Sequence, residues 1–230
     1  MVAAILLAGA SGSRMNSALP KQYLHLQNKP LILYPFETLL AEKEIDELVI
    51  VCEPSYQTLF QTHKKRLHFA LPGAERQDSV YSGMQTLSSS THWVCIHDGA
   101  RPLLSSSDLH AVILAGKQYA AATLAVKAKV KMKESDESGF VKKTIDRSKL
   151  WEIQTPQVLS YPLLKEGFQK VFQQNIQVTD DVSLAELLGH PVKLVAGSYS
   201  NIKITTPEDL AIADVLMRNL RAKVQTDTSL

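Results

Sequence analysis

Cysteine is scarce in this chain, which has only two in 230 residues. Cys52 and Cys95 each lie in an apolar run, so we expect reduced core residues and a reducing compartment, and we exclude a disulfide framework and a cysteine metal site. Long hydrophobic runs are lacking too. The apolar stretch from Val2 to Ala10 has no basic residue before it and is shorter than the ~20 residues that span a bilayer. The sequence therefore predicts a cytoplasmic protein with no targeting segment and no membrane contact.

An excess of charge of one sign is also missing. The chain has 25 Lys and Arg against 23 Asp and Glu, a net charge of +2. A general nucleic-acid binder needs a large cationic excess, so we expect no nucleic-acid partner, although a local basic pocket for a phosphorylated small molecule stays open. Glycine and proline, at 10 each, are too few for a collagenous or low-complexity protein. With 45% hydrophobic residues, the chain is expected to fold as a single α/β domain over residues 1–230.

Short apolar runs alternate with helical patterns along the chain. Runs that are apolar almost throughout are typical of parallel strands covered on both faces. The order predicts an α/β fold, a three-layer, doubly wound, mainly parallel sheet of Rossmann-like type, whose ligand lies beyond the carboxyl ends of the strands. The predicted strands are Val2–Ala8, Glu47–Cys52, His68–Leu71, Trp93–His97, Ala121–Val126 and Pro191–Ala196. The predicted helices are Leu31–Leu40, Asp78–Leu87, Asp108–Tyr119 with Ser106 or Ser107 as its cap, Pro162–Gln174, Thr179–Leu188 and Pro207–Leu220, the last capped by Thr206.

One segment departs from this pattern. From Val126 to Lys133 apolar residues alternate strictly with lysines, which predicts a strand with one apolar and one cationic face. Glu134–Gly139 is a predicted turn, and Phe140–Ile145 can return as a partner strand. Two interpretations remain open. The segment is either a two-stranded arm at about 127–150 that packs on another subunit, or an edge strand protected by lysines.

The first predicted strand leads into a loop of small residues followed by cations. Such residues let backbone N–H groups approach an anion closely. Arg14 can hold phosphate oxygens with two hydrogen bonds, and Lys21 adds a point charge. The pattern is neither a Walker loop nor a dinucleotide-binding G-x-G-x-x-G. The small residues are Ala8, Gly9, Ala10 and Gly12.

Other strand ends carry further candidates. Asp98, followed by Gly99 and Arg101, suits a site that holds Mg²⁺ and phosphate together, or it caps a simple turn. The turn from Gly73 to Ser79 could read the edge of a base, although helix capping by Asp78 explains it more simply.

Two C-terminal segments have simpler local explanations. Thr179-Asp180-Asp181 is typical of a helix N-terminus with carboxylates in its first turn, and a role near a cation is the alternative. Lys203 alternates with Ile202 and Ile204, which by itself predicts a solvent-exposed lysine on a short strand.

Seven motifs in order, spread over residues 2–217, together resemble one known family. They resemble the 2-C-methyl-D-erythritol 4-phosphate cytidylyltransferases of the non-mevalonate isoprenoid pathway. No single motif decides this, but seven at compatible spacing are not expected by chance. The motifs are Leu7-Ala8-Gly9 with Gly12-Ser13-Arg14-Met15, Pro20-Lys21-Gln22-Tyr23, Glu75-Arg76-Gln77-Asp78-Ser79-Val80, His97-Asp98-Gly99-Ala100-Arg101-Pro102, Asp146-Arg147 with Leu150-Trp151 and Gln154-Thr155-Pro156-Gln157, Thr179-Asp180-Asp181, and Asn201-Ile202-Lys203-Ile204-Thr205.

The resemblance implies a reaction in which CTP and methylerythritol phosphate give a cytidine diphosphate alcohol and pyrophosphate. It implies catalytic roles for Arg14, Lys21 and Lys203, and Mg²⁺ supported by Asp98. It also implies a homodimer through the arm, in which Arg147 reaches the acceptor phosphate of the neighbouring subunit. The implied nucleotide-binding residues are Ala8, Gly9, Ala10, Gly12, Gly73 and Ser79, and the implied acceptor-binding residues are Asp98, Arg101, Arg147, Thr155 and Lys203.

Two alternatives stay open at this point. A ribitol 5-phosphate cytidylyltransferase would share the CTP half, so the acceptor residues decide between the two. A catalytically silent nucleotide-binding protein would keep the fold, but it would have no need of Arg14, Lys21 and Asp98 together.

Overall fold

The structure is a computed structural model that describes residues 1–9, 19–62 and 64–227. Its strands are β1 (Val2–Leu7), β2 (His25–Leu26), β3 (Lys29–Pro30), β4 (Glu47–Val51), β5 (Arg66–Ala70), β6 (Trp93–Asp98), β7 (Ala121–Lys127), β8 (Met132–Ser135), β9 (Val141–Ile145), β10 (Trp151–Ser160) and β11 (Lys193–Ala196). Its α-helices are α1 (Leu33–Ala41), α2 (Arg76–Gln85), α3 (Ser106–Tyr119), α4 (Tyr161–Gln174), α5 (Ser183–Leu187) and α6 (Pro207–Asp227).

Seven of the described strands form one sheet, in the order β5-β4-β1-β6-β10-β7-β11. All pairings in it are parallel except those of β10, which runs antiparallel to both of its neighbours. Helices α1 and α3 cover one face of the sheet, and α2, α4 and α5 cover the other. The predicted three-layer, doubly wound, mainly parallel α/β fold is therefore confirmed.

Strand β1 lies in the middle of this core and shows why the sequence encodes it. Its even-numbered residues pack under α1 and α3, and Ile5 and Leu7 pack under α2 and α4. A strand with apolar neighbours on both faces cannot alternate with polar residues, which is why the run reads as continuously hydrophobic. Cys52 and Cys95 are also buried in the core, as predicted, and burial raises the pKa of the Cys52 thiol to about 11.

Strand β10 is the main element that the sequence pattern missed. Its sequence does not have the pattern of a buried strand, because Gln154, Thr155, Pro156 and Gln157 interrupt its apolar character. The pairing of β10 with β7 is broken between Ile153 and Gln157, so these residues are not ordinary ladder positions. Two of them hydrogen-bond to residues beyond the sheet pairing: Thr155 accepts from the N–H of Asp98, and Gln157 accepts from the N–H of Asp181.

Several predicted boundaries need correction. The cap of α3 is Ser105, whose hydroxyl accepts from Asp108 N–H at 3.1 Å, so the prediction of Ser106 or Ser107 was wrong; both already belong to the helix. Helix α5 is short and begins only at Ser183, whose N–H donates to Asp180 Oδ1 at 3.0 Å. Thr206 does cap α6, which continues past the predicted end to Asp227.

The lysine-rich segment forms a separate two-stranded sheet of β8 and β9 that does not pair with the main sheet. The predicted two-stranded hairpin outside the main sheet is therefore confirmed, with different bounds, and its packing on another subunit stays a prediction. The strand predicted over Val126–Lys133 is wrong as one element: β7 ends at Lys127, and β8 begins at Met132. The turn comes after Ser135 instead of after Lys133.

In the described part of the chain, no helix combines the length and the apolar character needed to cross a bilayer.

Candidate active site

A crevice of about 500 Å³ opens beyond the carboxyl ends of β1 and β6. The chain leaves β1 toward β4 on one side and reaches β6 on the other, which makes this point the topological switch of the sheet, where α/β proteins bind ligands. The turn after β5 and the segment before α6 complete the walls. The lining includes Gly9, Lys21, Gly73, Ser79, Asp98, Gly99, Lys203 and Thr205.

Part of the predicted phosphate loop can be placed. Gly9 lines the crevice, while Ala10, Gly12 and Arg14 lie outside the described residues. Ala8 does not support its predicted role, because its N–H donates to Val51 O at 2.9 Å and is not open to a phosphate. A side chain at position 9 would collide with Pro72, since a Cβ there would lie 2.4 Å from that ring. Glycine is therefore required where the two chain segments meet.

Lys21 enters the crevice from a single 3₁₀ turn, Lys21–Tyr23, whose side chains are all buried. The Tyr23 hydroxyl donates to Ala8 O at 3.2 Å, and its ring stacks on Tyr56 with 3.6 Å between centroids. These contacts hold the turn against the end of β1. The lysine is thereby carried on a fixed backbone, as a preorganised cation requires.

Asp98, the last residue of β6, lies at the centre of a charge cluster. It is only 7% exposed, and both of its carboxylate oxygens contact cations. Lys203 Nζ lies 2.7 Å from Oδ2, and Arg76 Nε lies 3.0 Å from Oδ1. The short strand predicted for Lys203 is wrong, because residues 201–205 form no strand, and its side chain, 36% exposed, turns to Asp98 instead of only to solvent.

These contacts set the ionisation of the cluster. Burial alone would raise the pKa of Asp98, but Arg76 and Lys203 reverse that effect and hold it well below its usual value. Burial opposes the charge on Arg76, yet the Asp181 and Asp98 carboxylates keep its pKa above its usual value. Asp98 and Arg76 therefore each favour the charged form of the other.

His97 and Thr155 form a hydrogen-bond chain beneath Asp98. Asp98 N–H donates to Thr155 Oγ1 at 3.0 Å, and the same oxygen lies 3.0 Å from His97 Nδ1. On the far side of the ring, Nε2 lies 3.3 Å from Arg101 O. A carbonyl oxygen can only accept, so Nε2 carries the hydrogen of neutral His97, and the Thr155 hydroxyl donates to Nδ1.

We expect a His97→Gln variant to be less sensitive to acid. Burial lowers the pKa of His97 to about 4, whereas an unfolded histidine titrates near ~6.5. Between these pH values only the unfolded chain takes up the proton, so the free energy of unfolding falls as the pH falls, by about 3 kcal/mol at most from this group. Urea unfolding at several pH values from 7 to 4 measures how steeply the free energy of unfolding depends on pH. Identical slopes for variant and wild type would contradict the assignment.

A second cavity of about 350 Å³ adjoins the first and shares Arg76, Asp98 and Lys203 with it. Arg101 and Thr155 lie in its wall, as predicted for an acceptor pocket. Arg101 donates from one terminal nitrogen to Asn201 O at 2.7 Å, but its buried Nε has no hydrogen-bond partner among the described residues. A buried donor without a partner is costly to the folded state.

The turn between β5 and α2 is tightly built. Ser79 Oγ accepts from Gly73 N–H at 3.0 Å and donates to Glu75 O at 3.2 Å. A Cβ on residue 73 would lie 2.3 Å from Asp78 Cβ, so only glycine allows this close approach. Glu75 and Asp78 also form a reciprocal cap on α2. This turn therefore both caps α2 and forms part of the crevice wall.

Arg147 is the predicted site residue that the protomer does not bring to the crevice. It lies on the 3₁₀ turn Arg147–Lys149, which follows β9, and it is exposed. One terminal nitrogen donates to Lys129 O at 2.7 Å, which ties the turn to the start of the arm. Among the described residues, Arg147 contributes to the lining of neither cavity.

The residues behind Asp98 were not among the site residues predicted from the sequence. Arg76 belongs to the turn that helix capping by Asp78 explains locally, and Asp181 belongs to the predicted first turn of a helix. The structure pairs them instead, with both terminal nitrogens of Arg76 at 2.8 Å from the Asp181 oxygens. Gln157, on β10, anchors Asp181 from below. The only signal in the sequence was the presence of all three within the family motifs.

The described residues contain no group of three or more His, Cys, Asp or Glu side chains placed to hold a metal. Asp98 is a single carboxylate whose oxygens already face Arg76 and Lys203. Mg²⁺ often takes only one or two protein carboxylates and completes its shell with waters and substrate phosphates. This single carboxylate therefore fits a magnesium ion brought in by a polyphosphate.

The doubly wound sheet, with cations gathered at its switch point beside a second polar cavity, defines a nucleotidyltransferase. Comparison with known proteins specifies the family. Residues 2–219 match the family model of 2-C-methyl-D-erythritol 4-phosphate cytidylyltransferase. The chain belongs to that family.

Individual relatives agree. The chain is 46% identical over 220 residues to the chloroplastic 2-C-methyl-D-erythritol 4-phosphate cytidylyltransferase of Oryza sativa subsp. japonica. The aligned region covers 94% of this chain and 74% of the relative. It is 43% identical over 224 residues to the same enzyme of Pelotomaculum thermopropionicum, with 94% of each chain covered. The crystal structure of 4-diphosphocytidyl-2C-methyl-D-erythritol synthase from Anaerococcus prevotii matches with a TM-score of 0.84 at 28% identity, covering 94% of this chain and 98% of that one.

Proposed function

We infer that this chain transfers CMP from CTP to 2-C-methyl-D-erythritol 4-phosphate and releases pyrophosphate. The observation that carries the proposal is the convergence of Lys21, Asp98 and Lys203 at the wall of one crevice, beyond the ends of β1 and β6. Each comes from a different part of the sequence, and the crevice opens onto a second polar cavity for the acceptor.

The reaction needs charge stabilisation more than it needs a reactive side chain. An oxygen of the acceptor phosphate attacks the α-phosphorus of CTP in line. The bond from that phosphorus to the bridging oxygen breaks, and its electron pair leaves with pyrophosphate. Negative charge on the α-phosphate and the leaving group is stabilised by Lys21 and Lys203, together with Arg14 as the family resemblance implies.

The second cavity is the proposed acceptor site. Lys203 lies between the two cavities and can contact the attacking phosphate as well as the α-phosphate. Asp98 accepts hydrogen bonds, which suits the hydroxyl groups of a polyol. Thr155 offers a lone pair because its hydrogen is used by His97, and Arg101 brings a positive charge to the cavity wall.

Magnesium is proposed as the metal. Mg²⁺ bound with the triphosphate would neutralise phosphate charge, and Asp98 is the carboxylate that would face it. The chain's own part is to hold Asp98 ionised at the crevice, which its neighbouring cations ensure.

Base selection is assigned to the turn after β5. The Ser79 hydroxyl has given its hydrogen to Glu75 O, so it can offer a ligand only a lone pair. Cytosine presents an amino group where uracil presents a carbonyl oxygen. A site with only an acceptor at this point therefore favours CTP over UTP.

We place the enzyme in the cytoplasm as one catalytic domain over residues 1–230 that forms a homodimer through its arm. The apolar side chains along the arm are solvent-exposed in the protomer, with Phe140 73% and Val130 63% accessible. An isolated two-stranded sheet is marginally stable in water, so burial of this face against a partner supports the arm. The same contact would bring Arg147 to the acceptor phosphate of the partner's site.

An Arg147→Ala variant is expected to keep the dimer and to raise the KM for the acceptor about 10- to 100-fold, the value of one charged hydrogen bond. Steady-state kinetics measure the KM for the acceptor, and analytical ultracentrifugation measures whether the dimer is kept. Lys142→Ala is the matched control, because Lys142 lies on the same arm and pairs with Glu134 of its own hairpin.

Subunit mixing extends this test. In a dimer of Arg147→Ala with Lys21→Ala, one of the two sites receives an intact Lys21 and an intact Arg147. Mixed and re-equilibrated subunits, assayed with the acceptor well below the raised KM of Arg147→Ala, should then regain about a quarter of wild-type activity. No recovery, or conversion of Arg147→Ala to a monomer, would make Arg147 a structural residue.

The function itself is tested with purified protein, CTP and Mg²⁺. The assay follows pyrophosphate release and the nucleotide product with 2-C-methyl-D-erythritol 4-phosphate and, separately, with ribitol 5-phosphate. Turnover with the first acceptor is expected. Turnover with ribitol 5-phosphate alone would replace the proposed acceptor, and tight CTP binding with no release from either would indicate a silent nucleotide-binding protein.

A further inference from the structure

Arg76 makes three hydrogen bonds to two buried carboxylates. Its Nε donates to Asp98 Oδ1 at 3.0 Å, and its two terminal nitrogens donate to Asp181 Oδ1 and Oδ2, each at 2.8 Å. We propose that Arg76 is a positioning residue that orients the Asp98 carboxylate toward Lys203 and the acceptor cavity. This inference rests on the proposed function, because it assigns Asp98 and Lys203 to acceptor binding.

The support behind Arg76 is rigid. Asp181 is 2% exposed and, among the described residues, contributes to neither cavity wall. Its own N–H donates to Gln157 Oε1 at 2.8 Å, and the N–H of Val182 donates to the same oxygen at 3.0 Å. Strand β10 thus fixes Asp181, and Asp181 fixes the plane of the guanidinium. The orientation of Asp98 therefore depends on a residue that no substrate can touch.

The geometry requires arginine. A guanidinium holds one carboxylate with its terminal nitrogens and another with Nε at fixed angles, whereas an ammonium is a point charge without this shape. With Oδ1 of Asp98 held by Arg76, only Oδ2 faces Lys203, at 2.7 Å. The Lys203 ammonium has three N–H donors, so two remain for substrate oxygens.

A purely structural role has a different kinetic signature. If the Arg76 pairs served only to hold α2 against the segment before α5, their loss would reduce the folded fraction. The apparent kcat would then fall while both KM values stayed unchanged. A positioning role predicts a rise in the KM for the acceptor, with the KM for CTP little affected.

Asp181→Asn is the primary test, since it weakens the support of Arg76 without touching either cavity. We expect the KM for 2-C-methyl-D-erythritol 4-phosphate to rise about 10-fold, with the KM for CTP within about twofold of wild type. The matched control is Asp46→Asn, which also removes a carboxylate but at the opposite end of β1, where Asp46 accepts from the N–H of Val2. The control should leave both KM values unchanged.

Arg76→Lys and Arg76→Gln form the second test. Both are expected to raise the KM for the acceptor about 100-fold, with lysine no better than glutamine, because charge without the fork cannot orient Asp98. An unchanged acceptor KM in Asp181→Asn, equal changes in both KM values, or rescue by lysine would each overturn the proposal.

Failure of the inference is distinct from failure of the proposed function. Wild-type turnover with the acceptor, measured first, decides the function alone. A crystal structure of Asp181→Asn gives a readout that needs no activity. Rotation of the Asp98 carboxylate and loss of its 2.7 Å contact with Lys203 are expected. An Asp98 that keeps its wild-type position would overturn the inference even if the enzyme used another acceptor.

Discussion

A Lys21→Ala variant is expected to lose about 100- to 1,000-fold in kcat, while its KM for CTP changes little. Lys21 is 6% exposed and lies in the crevice wall on a turn held by Tyr23. A preorganised cation acts mainly on charge that develops as the α-phosphate is attacked and pyrophosphate leaves. Its loss therefore affects the transition state more than bound CTP, and kcat and kcat/KM should fall together.

Steady-state kinetics with varied CTP at saturating acceptor measure this effect. Lys29→Ala is the matched control, because Lys29 lies nearby on β3 but forms a surface ion pair with Glu37. Surface pairs contribute little, so its kinetics should equal those of wild type. An unchanged kcat in Lys21→Ala would remove Lys21 from the mechanism.

An Asp98→Asn variant is expected to lose both acceptor kcat/KM and free energy of unfolding. The substitution keeps the size of the side chain but removes the anion between Arg76 and Lys203. Breaking a buried ion pair costs about 3–5 kcal/mol of folding free energy. Because Lys203 is partly exposed, we expect a loss near the lower end of that range. Because Lys203 also loses its anchor, kcat/KM for the acceptor should fall about 100-fold or more.

Urea unfolding and acceptor kinetics measure the two parts of this prediction. Asp108→Asn is a suitable control, since Asp108 accepts from Ser198 N–H away from the cation cluster and should show a small stability change only. Normal stability together with normal acceptor kinetics in Asp98→Asn would show that the cluster has no role in either.

The local parts of the fold were accessible from the sequence. A parallel strand covered on both faces must be apolar along its length, so β1, β4, β6 and β7 were visible as runs. Strand β10 was not, because its pairing with β7 is interrupted and its polar residues serve the site instead of the core. The arm was visible as an alternation, but alternation cannot show where a chain leaves one sheet and enters another.

The candidate site divides in the same way. Asp98 was found because a carboxylate follows a predicted strand, and topology places strand ends at the ligand. Arg76 and Asp181 were each explained by a nearby helix terminus, and that local explanation hid their pairing. The environment predicted for Lys203 was incomplete for a related reason. Its alternation with isoleucines indicates only that the side chain points away from them, and it cannot show that Asp98 lies within contact.

By itself, the amino-acid order determined the fold class, the strand ends where chemistry occurs and, through its motifs, the family. Those features follow from periodicity and from neighbours a few residues away. Only the tertiary structure decided which charges meet. Arg76 and Asp181 are separated by 105 positions along the chain, and Arg76 and Asp98 by 22. Packing of α2 and the α5 segment against one end of the sheet brings their atoms within 3.0 Å, and Coulomb interactions act on that distance and not on sequence separation.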